Sequence, residues 1–283
     1  MTTIEARVAE VAGAPVRGVR PVGAQHRWRM YDAELASGER VFVKAADAPL
    51  GELFRTEAAG LRWLGAAVEG LVPEVLGADD TMLVLARIEE GRADAAAAER
   101  FGRDLAAMHA AGADAFGAPW PGFIAELPLD NTPGDDWPSW YAERRLAPYV
   151  RTAVDAGGLS AADAAPIERV MARIADLAGP AIRPARIHGD CWSGNVLWSG
   201  GRGRLVDPAA HGGHPETDLA MLDLFGAPHL ARIVAAYEEV RPLPGRAARV
   251  PLHQLHPLLV HVCLYGGGYR TAAVDAARAA LRG

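Results

Sequence analysis

Cysteine and long apolar runs are scarce in this 283-residue sequence. It has two cysteines, Cys191 and Cys263, too few for a disulfide framework, and both are expected to be free thiols. No apolar run approaches the roughly 18 residues that a membrane-spanning helix needs. The first residues, MTTIEARVAE, lack the basic and then apolar order of a secretion signal. We therefore expect a cytoplasmic protein that does not enter a membrane.

An excess of basic charge is also lacking. The chain has 29 lysines and arginines against 35 acidic residues, a net charge of -6, which gives no overall attraction to a phosphate backbone. We therefore expect no nucleic-acid partner. Half of the residues are hydrophobic, so the chain can bury one large core or form two lobes that share a cleft.

Lysine and asparagine are rare in this chain. Lys44 is its only lysine, and Asn131 and Asn195 are its only asparagines. Both residue types are common on protein surfaces, and asparagine is frequent in turns. A chain that avoids a residue type but keeps it at one or two positions is expected to need that side chain there. These three residues are therefore candidates for functional roles.

Hydrophobic periodicity divides the chain into two parts. Alternating patterns predict a β-rich first part, whereas helical patterns dominate the second part, with a proline- and glycine-rich loop at 112–136. We predict an α+β protein with a small antiparallel β lobe, residues 1–88, and a larger, mainly helical lobe, residues 89–283. The predicted strands are 17–22, 28–35, 40–44, 73–76, 82–88, 196–198 and 204–206, and the predicted helices are 51–64, 93–111, 140–150 and 161–178, with more helices from about 217.

The strongest chemical signal is the segment HGDCWSGN at residues 188–195. It places Asp190 and Asn195 five residues apart, the H-x-D-x-x-x-x-N spacing of a kinase catalytic loop. A carboxylate at the first position can orient an alcohol and accept its proton. An amide oxygen one turn later can ligate Mg²⁺ without adding negative charge beside a triphosphate. The alternative is a glycine-rich turn whose Asp and Asn bond only their own backbone.

A second carboxylate follows at a matching distance. Asp207 comes twelve residues after Asn195, at the end of the β-like run RLVD, where a kinase has its metal-binding Asp. Pro208 and Ala209 follow it in place of the Phe-Gly of protein kinases, so the sequence predicts no mobile Phe switch and no activation-loop regulation. The two signals together favour phosphoryl transfer over a simple turn.

Lys44 and Glu57 add a nucleotide-binding pattern. Lys44 closes an alternating strand, and Glu57 lies 13 residues later in a predicted helix, as in kinases that hold an ammonium group against the α and β phosphates. A strand-end lysine is ordinarily a solvated charge, but the isolation of this one favours a function. Ala86, Arg87 and Ile88 end a strand whose main-chain groups could meet adenine, although an ordinary buried strand fits equally well.

Other site types fit less well. Residues 23–27, GAQHR, offer a single glycine, Gly23, as a phosphate-covering loop, and the chain has no G-x-x-x-x-G-K-[ST], which excludes a P-loop NTPase. His211 and His214 lie in a glycine-containing loop whose spacing does not suit zinc. Asp218, in the same segment, is instead expected to hold the backbone of the catalytic loop from a helix start. The G-x-S-x-G elbow of serine hydrolases is also missing.

These segments together resemble the fructosamine kinase family (ketosamine 3-kinases). HGDCWSGNVLW and RLVDPAAHGGHPETDLAMLDLFG look like its catalytic and metal-binding stretch. GERVFVK, FRTEAAGLRWL, DNTPGDDWPSWYAERRLAPY and HQLHPLLVHVCLYGGGY are similar to it in order and spacing, so the resemblance covers most of the chain. Trp192 and the DPA triplet distinguish it from aminoglycoside phosphotransferases and choline kinases, which share the two-lobed, protein-kinase-like fold. The loop GAQHRW departs from the family because it lacks the usual Gly-Gly and Asn.

The resemblance implies an ATP- and Mg²⁺-dependent kinase that phosphorylates the 3-hydroxyl of a ketosamine, either a small amine-linked sugar or a protein-bound one. An aminoglycoside or choline-type phosphotransferase, or a relative that binds nucleotide without catalysis, are the alternatives. By position, the implied roles are proton acceptor for Asp190, magnesium ligand for Asn195 and Asp207, phosphate contact for Lys44 and Glu57, and adenine contact for Ala86, Arg87 and Ile88. The expected acceptor-side or supporting residues are Trp192, His188, Asp218 and Asn131.

Overall fold

The computed structural model describes residues 3–283, and its first part is a five-stranded antiparallel sheet with two helices. We call this part the N-lobe. Its elements are α1 (Ile4–Ala12), β1 (Val16–Gln25), β2 (Trp28–Leu35), β3 (Arg40–Ala46), α2 (Leu53–Gly65), β4 (Val75–Ala78) and β5 (Met82–Ala86). The strands lie in the order β1-β2-β3-β5-β4.

The two faces of the central strand β3 lie in different environments, one apolar and one charged. Val41 and Val43 are completely buried and pack in one apolar cluster with Val8 of α1. Side chains alternate between the two faces of a strand, so Lys44 points to the opposite face. There it meets Glu57 of α2. The alternation of β3 therefore fixes the direction of the only lysine.

The remainder of the chain, which we call the C-lobe, is mainly helical. Three two-stranded sheets, β6–β7, β8–β11 and β9–β10, interrupt the helices. Its helices are α3 (Ala95–Ala110), α4 (Trp137–Tyr141), α5 (Ala147–Asp155), α6 (Ala161–Ala172), α7 (Ile174–Leu177), α8 (Pro215–Leu224), α9 (Leu230–Val240), α10 (Arg246–Tyr265) and α11 (Arg270–Ala280). Its strands are β6 (Gly122–Ile124), β7 (Leu127–Leu129), β8 (Ala185–Ile187), β9 (Val196–Ser199), β10 (Arg202–Leu205) and β11 (His211–Gly213).

Several local features differ from the sequence prediction. The helix predicted at 161–178 is divided at Arg173 into α6 and the four-residue α7. Helix α1 was not predicted, because a nine-residue helix with one fully buried side chain, Val8, shows little periodicity. The loop predicted at 112–136 contains the β6–β7 hairpin, whose three-residue strands are too short to show alternation. The helix predicted at 140–150 is divided by a π-helical turn, Ala142–Leu146. Each difference concerns a short element whose pattern is weak.

Helices α3 and α9 approach each other closely at Gly102. A Cβ at this position would overlap the carbonyl oxygen of Ile233 in α9. Gly102→Ala is therefore expected to force the helices apart at a cost of about 1–3 kcal/mol. That cost corresponds to roughly 2–4 °C of Tm for each kcal/mol in a chain of this size class, measured by calorimetry. Gly18→Ala, where a Cβ meets no atom within 4 Å, is the matched control and is expected to leave Tm nearly unchanged.

No helix in residues 3–283 combines the length and the apolar character that a bilayer crossing requires. Both cysteines are free in the structure, as predicted: Cys191 is buried within the segment 188–195 and Cys263 is partly buried on α10.

Candidate active site

Lys44 stands at the centre of an ion-pair group between the two lobes. Its Nζ donates to both carboxylate oxygens of Glu57, at 2.8 and 3.0 Å, and to Oδ1 of Asp207 at 2.7 Å. Burial alone would lower the pKa of Lys44, but the charges of Asp207 and Glu57 outweigh burial and raise it. The ammonium group is therefore permanently charged and held in one place. Asp207 has its backbone in the left-handed region, at φ 54°, which turns its carboxylate back toward β3.

The segment after β8 presents Asp190 and Asn195 to the same cleft. Nδ2 of Asn195 donates to Oδ2 and to the main-chain oxygen of Asp190, both at 2.9 Å. Oδ1 of Asn195 accepts no hydrogen bond from residues 3–283, and Asn195 lines the cleft together with Asp190 and Asp207. The Asp and Asn do bond locally, as the alternative of a simple turn requires. Both residues also line the cleft that contains Lys44 and Asp207. A simple turn does not explain this shared location.

The environment of Asp190 suits a proton acceptor. Burial and the negative charge of Asp207 raise the pKa of Asp190 to about 7, and the hydrogen bond from Asn195 opposes this only in part. A carboxylate with a pKa near neutrality is a stronger base than an ordinary Asp and still loses its proton at physiological pH. The side chain is half-buried, so a substrate hydroxyl can reach it from the cleft.

A buried group behind the cleft holds the catalytic loop in place. Asp218 on α8 accepts hydrogen bonds from the main-chain amides of His188, at 2.8 Å, and Gly189, at 2.9 Å. His109 of α3 lies 3.0 Å from the same carboxylate. Burial alone would raise the pKa of Asp218, but the hydrogen bonds from His109 and His188 lower it. Gly189 has φ 81°, and a Cβ there would overlap the main-chain oxygen of Ala209, so this position requires glycine.

Hydrogen bonds to two backbone groups hold the ring of His188 in place. Nε2 lies 2.9 Å from the carbonyl oxygen of Val206, and Nδ1 accepts from the amide of Asp190 at 3.2 Å. An Nδ1 that accepts requires the neutral tautomer with its proton on Nε2. Burial lowers the pKa of His188, in agreement with a neutral ring. The side chain therefore connects the loop that carries Asp190 with the strand end that carries Asp207.

A second cavity, of about 180 Å³, lies at the predicted adenine position. Ala86, Arg87 and Ile88 all line it. The amides of Ala86 and Arg87 donate to other main-chain oxygens, whereas the amide of Ile88 has no main-chain partner within residues 3–283. The main-chain amide of Ile88 is therefore available to donate a hydrogen bond to a flat, apolar ligand in this cavity. Besides Ala86 and Ile88, the apolar lining residues are Met30, Phe42, Pro73, Leu85, Leu197 and Val206.

Four predicted residues line neither cavity: the supporting residues His188 and Asp218 described above, and also Gly23 and Asn131. Gly23 lies within β1 opposite Met30, and the tip of the β1–β2 hairpin, Gln25 and His26, borders the cleft in its place. The amide of Asn131 donates to Trp120 and its Oδ1 accepts from the buried Arg145 at 2.8 Å. Asn131 therefore supports the fold of the C-lobe, and its side chain does not reach the cleft.

The outer part of the cleft has an aromatic wall, of which only Trp192 was a predicted site residue. His261 and Tyr265 of α10 line the cleft together with Trp192 and with Phe123 of β6. Tyr265 is 62% exposed and Trp192 is 38% exposed, so both rings are accessible to a ligand. The available signal was His261 in an otherwise apolar helical run, but the sequence alone does not show that α10 ends at the cleft.

A buried group of two histidines and one carboxylate near the predicted histidine segment is not suited to a metal. The possible ligand atoms of His214, Glu216 and His253 lie within 4.8 Å of one another. However, Arg249 binds both carboxylate oxygens of Glu216. Nδ1 of His214 accepts from the amide of Glu216, so the neutral ring carries its proton on Nε2. We conclude that this group is an ion-pair and helix-cap network.

Solved structures show the same fold. A crystal structure of a candidate fructosamine-3-kinase from Thermobifida fusca is 54% identical, covers 99% of both chains and has a TM-score of 0.97. A thermostable mutant of the aminoglycoside phosphotransferase APH(4)-Ia, in a ternary complex with ADP and hygromycin B, is 16% identical. It covers 98% of this chain and 99% of that chain with a TM-score of 0.66, and at this identity it shows the fold alone. The predicted two-lobed, protein-kinase-like α+β fold is confirmed.

Sequence comparisons point to the same family as the crystal structure from Thermobifida fusca. A candidate ketoamine kinase from Synechocystis sp. is 34% identical over 256 residues, which are 88% of this chain and 85% of that protein. The family model described as fructosamine kinase matches residues 2–282, essentially the whole chain. The resemblance stated from the motifs is thereby confirmed, and the chain belongs to the fructosamine kinase family.

Proposed function

We propose that this protein transfers the γ-phosphoryl group of ATP to the 3-hydroxyl of a ketosamine. The observation that carries the proposal is that Asp190 and Asn195, hydrogen-bonded to each other, share one cleft with the ion pairs of Lys44. Membership of the fructosamine kinase family supports the use of ATP and the class of acceptor. The acceptor is either a small amine-linked sugar or a ketosamine on a protein.

Asp190 is the proton acceptor in this proposal. As the 3-hydroxyl oxygen forms its bond to the γ phosphorus, its proton passes to a carboxylate oxygen of Asp190. The bond between the γ phosphorus and the β,γ-bridging oxygen breaks, and ADP leaves. His188 and Asp218 act through the backbone of the loop, because they fix its conformation without facing the cleft. Lys44, which Glu57 holds in position, contacts the phosphates.

The donor set of the cleft fits Mg²⁺. Mg²⁺ prefers hard oxygen ligands, usually one or two carboxylates together with substrate phosphates and water. Asp207 supplies a carboxylate that is 40% exposed, and Asn195 supplies an Oδ1 without a protein partner among residues 3–283. When bound, Mg²⁺ would neutralise charge that the phosphates carry. Asn195 contributes this oxygen because its Nδ2 is occupied by Asp190.

The nucleotide is proposed to bind between the lobes. Ala86 and Arg87 close one side of the 180 Å³ cavity, and Ile88 would donate its free amide to adenine. The β1–β2 hairpin, which contains Gly23 near its tip, would cover the phosphates with its tip residues Gln25 and His26. The division into an ATP-binding lobe, residues 1–88, and a catalytic lobe, residues 89–283, is part of this proposal.

The acceptor end of the cleft favours a substrate with one amine over an aminoglycoside. Several ammonium groups would require several carboxylates, and the candidates in the sequence were Asp130, Asp135 and Asp136. None of them lines the cleft. Asp130 pairs with Arg144 at 2.8 Å, and Asp136 caps α4. The aromatic wall that includes Trp192 is better suited to a sugar ring or chain and a single ammonium group.

The deciding experiment is a coupled ADP-release assay with fructosyl-lysine, ribulosyl-lysine, kanamycin and choline side by side. We expect turnover with one or both ketosamines, and phosphorus-carbon coupling in NMR spectra of the product should place the phosphate on the 3-oxygen. A clear preference for kanamycin or choline would contradict the ketosamine proposal while leaving a kinase. Stabilisation by Mg·ATP without turnover of any acceptor would instead indicate a catalytically inactive relative.

A further inference from the structure

An open cavity of about 650 Å³ lies apart from the catalytic cleft and shares no lining residue with it. We call it the arginine pocket. It lies where the end of α3, the residues before β8 and the end of α9 meet Trp63 of α2. Its side chains of interest are Trp63, His109, Asp114, Arg183, Arg186 and Arg241. Its volume is within the range of about 300–1,000 Å³ that small-molecule sites occupy.

The arginine pocket is positively charged in a chain that is negative overall. Arg183, Arg186 and Arg241 line it, and within residues 3–283 none of them has a carboxylate oxygen within the 4.0 Å of a salt bridge. Asp114 is the only carboxylate in the lining, so three positive charges face one negative charge. Burial lowers the pKa of His109, which leaves that ring neutral and adds no charge.

One of the three guanidinium groups is already held in place. Nε of Arg186 donates to the main-chain oxygen of Gly112 at 3.3 Å, and Nη1 donates to the main-chain oxygen of Trp63. The guanidinium also lies 4.4 Å from the centre of the Trp63 ring. Its Nη2 makes no hydrogen bond to any residue between 3 and 283. A fixed guanidinium with a free donor loses little conformational entropy when it binds an anion.

We propose that the arginine pocket binds a phosphate-bearing small molecule at a site separate from the catalytic cleft. Guanidinium groups match the oxygens of a phosphate with paired, charge-assisted hydrogen bonds. The volume exceeds what a free phosphate ion fills, so a phosphorylated metabolite such as a sugar phosphate fits the site better. A nucleic acid does not fit, because the basic groups line one cavity and the chain as a whole is negative.

The pocket touches the elements that hold the catalytic groups. Trp63 is on the helix that carries Glu57, and Arg186 lies two residues before His188 on the strand that leads into the catalytic loop. His109, in the pocket wall, contacts the carboxylate of Asp218. A ligand that bridges Arg186 and the end of α9 therefore adds contacts to a part of the core that supports catalysis, and binding should be visible as a rise in Tm.

The test uses ribose 5-phosphate and inorganic phosphate as probes, with saturating Mg·ADP so that the cleft is occupied. Binding of ADP is first verified for every variant by calorimetry. We expect the wild type to bind ribose 5-phosphate, with a higher Tm, and to bind phosphate more weakly. Arg183→Gln combined with Arg241→Gln should weaken ribose 5-phosphate binding at least about tenfold, because two charged donors are lost. The kinase activity of this double variant should stay close to that of the wild type.

The matched control is Arg151→Gln combined with Arg270→Gln, which removes two exposed arginines outside the pocket. This variant should bind the probe as the wild type does. Equal affinity of the two double variants would overturn the proposal, because it would show that total charge, and not the pocket, attracts the phosphate. Absence of binding to the wild type at millimolar concentrations would overturn it as well. Because binding is measured directly, neither outcome depends on which acceptor the kinase uses.

Discussion

Asp190→Asn is expected to lower kcat by about 10²–10⁴-fold, the usual contribution of a general base. Asn has the same shape and can still accept the hydrogen bond that Nδ2 of Asn195 donates to Asp190. The geometry of the loop is therefore retained while the proton acceptor is lost. The affinity for Mg·ATP should change by no more than a few fold, because Asp207 and Lys44 are unaltered. Steady-state kinetics measures the change in kcat, and calorimetric titration with Mg·ATP measures the change in affinity.

The same variant should be more stable than the wild type at high pH. Burial and the charge of Asp207 raise the pKa of Asp190 to about 7 in the folded protein, above the value of about 3.9 for an unfolded chain. Between these values the folded protein keeps a proton that the unfolded chain has released, so the free energy of unfolding falls as the pH rises. Asn does not titrate. Its gain in Tm over the wild type should therefore be larger at about pH 8 than at about pH 5, measured without Mg²⁺ or nucleotide.

These two measurements control each other. A variant that loses turnover but gains stability is folded, so the lost activity cannot be attributed to unfolding. Near-normal turnover of the Asn variant would show that Asp190 is not the proton acceptor. A gain in Tm that does not depend on pH would show that the charge of this carboxylate is not what destabilises the free enzyme.

Asp207→Asn should weaken Mg·ATP binding at least about tenfold and should lower kcat as well. The substitution removes the negative charge that Mg²⁺ requires and also one of the two carboxylates paired with Lys44. Asn tolerates the left-handed backbone at this position better than other non-glycine residues do, so added strain should be small. Titration of the activity with Mg²⁺ at fixed ATP, together with calorimetry, measures the effect.

The matched control for this variant is Asp135→Asn. Asp135 is exposed, lines neither cavity between the lobes, and lies in the loop directly before Asp136, the N-cap of α4. It should leave the Mg²⁺ requirement, kcat and Tm unchanged. If Asp207→Asn behaved like this control, the carboxylate at position 207 would have no part in metal binding, although its ion pair with Lys44 would still stand.

Much of the candidate site could be predicted from the sequence because its residues are few and regularly spaced. Asp190 and Asn195 lie in one eight-residue segment, so a local pattern contains both. Lys44 and Glu57 are separated by 13 residues. The alternating pattern of β3 and the helical pattern of α2 nevertheless indicate that Lys44 ends a strand and that Glu57 lies on the helix that follows it. The antiparallel and helical parts of the fold could likewise be predicted from the sequence, because long β strands and long helices repeat their periodic patterns several times.

The distant partners could not be predicted in the same way. Lys44 and Asp207 are 163 residues apart, and no local pattern states that their side chains meet at 2.7 Å. The position of Asn131 illustrates the converse. Its rarity made it a candidate for a functional role, but in the structure its Oδ1 accepts a hydrogen bond from the buried Arg145 and its side chain does not line the cleft.

The sequence by itself determined the chemistry of this protein: the residue types, their local spacing and the periodicities that separate a β lobe from a helical lobe. Only the tertiary structure decided which groups meet. It raised the pKa of Asp190 through burial beside Asp207, left the amide of Ile88 available, and placed the end of α10 with Tyr265 at the cleft. The physical reason is that spacing and periodicity act over one or two turns of chain, whereas burial and charge interactions depend on distances between residues that are far apart in sequence.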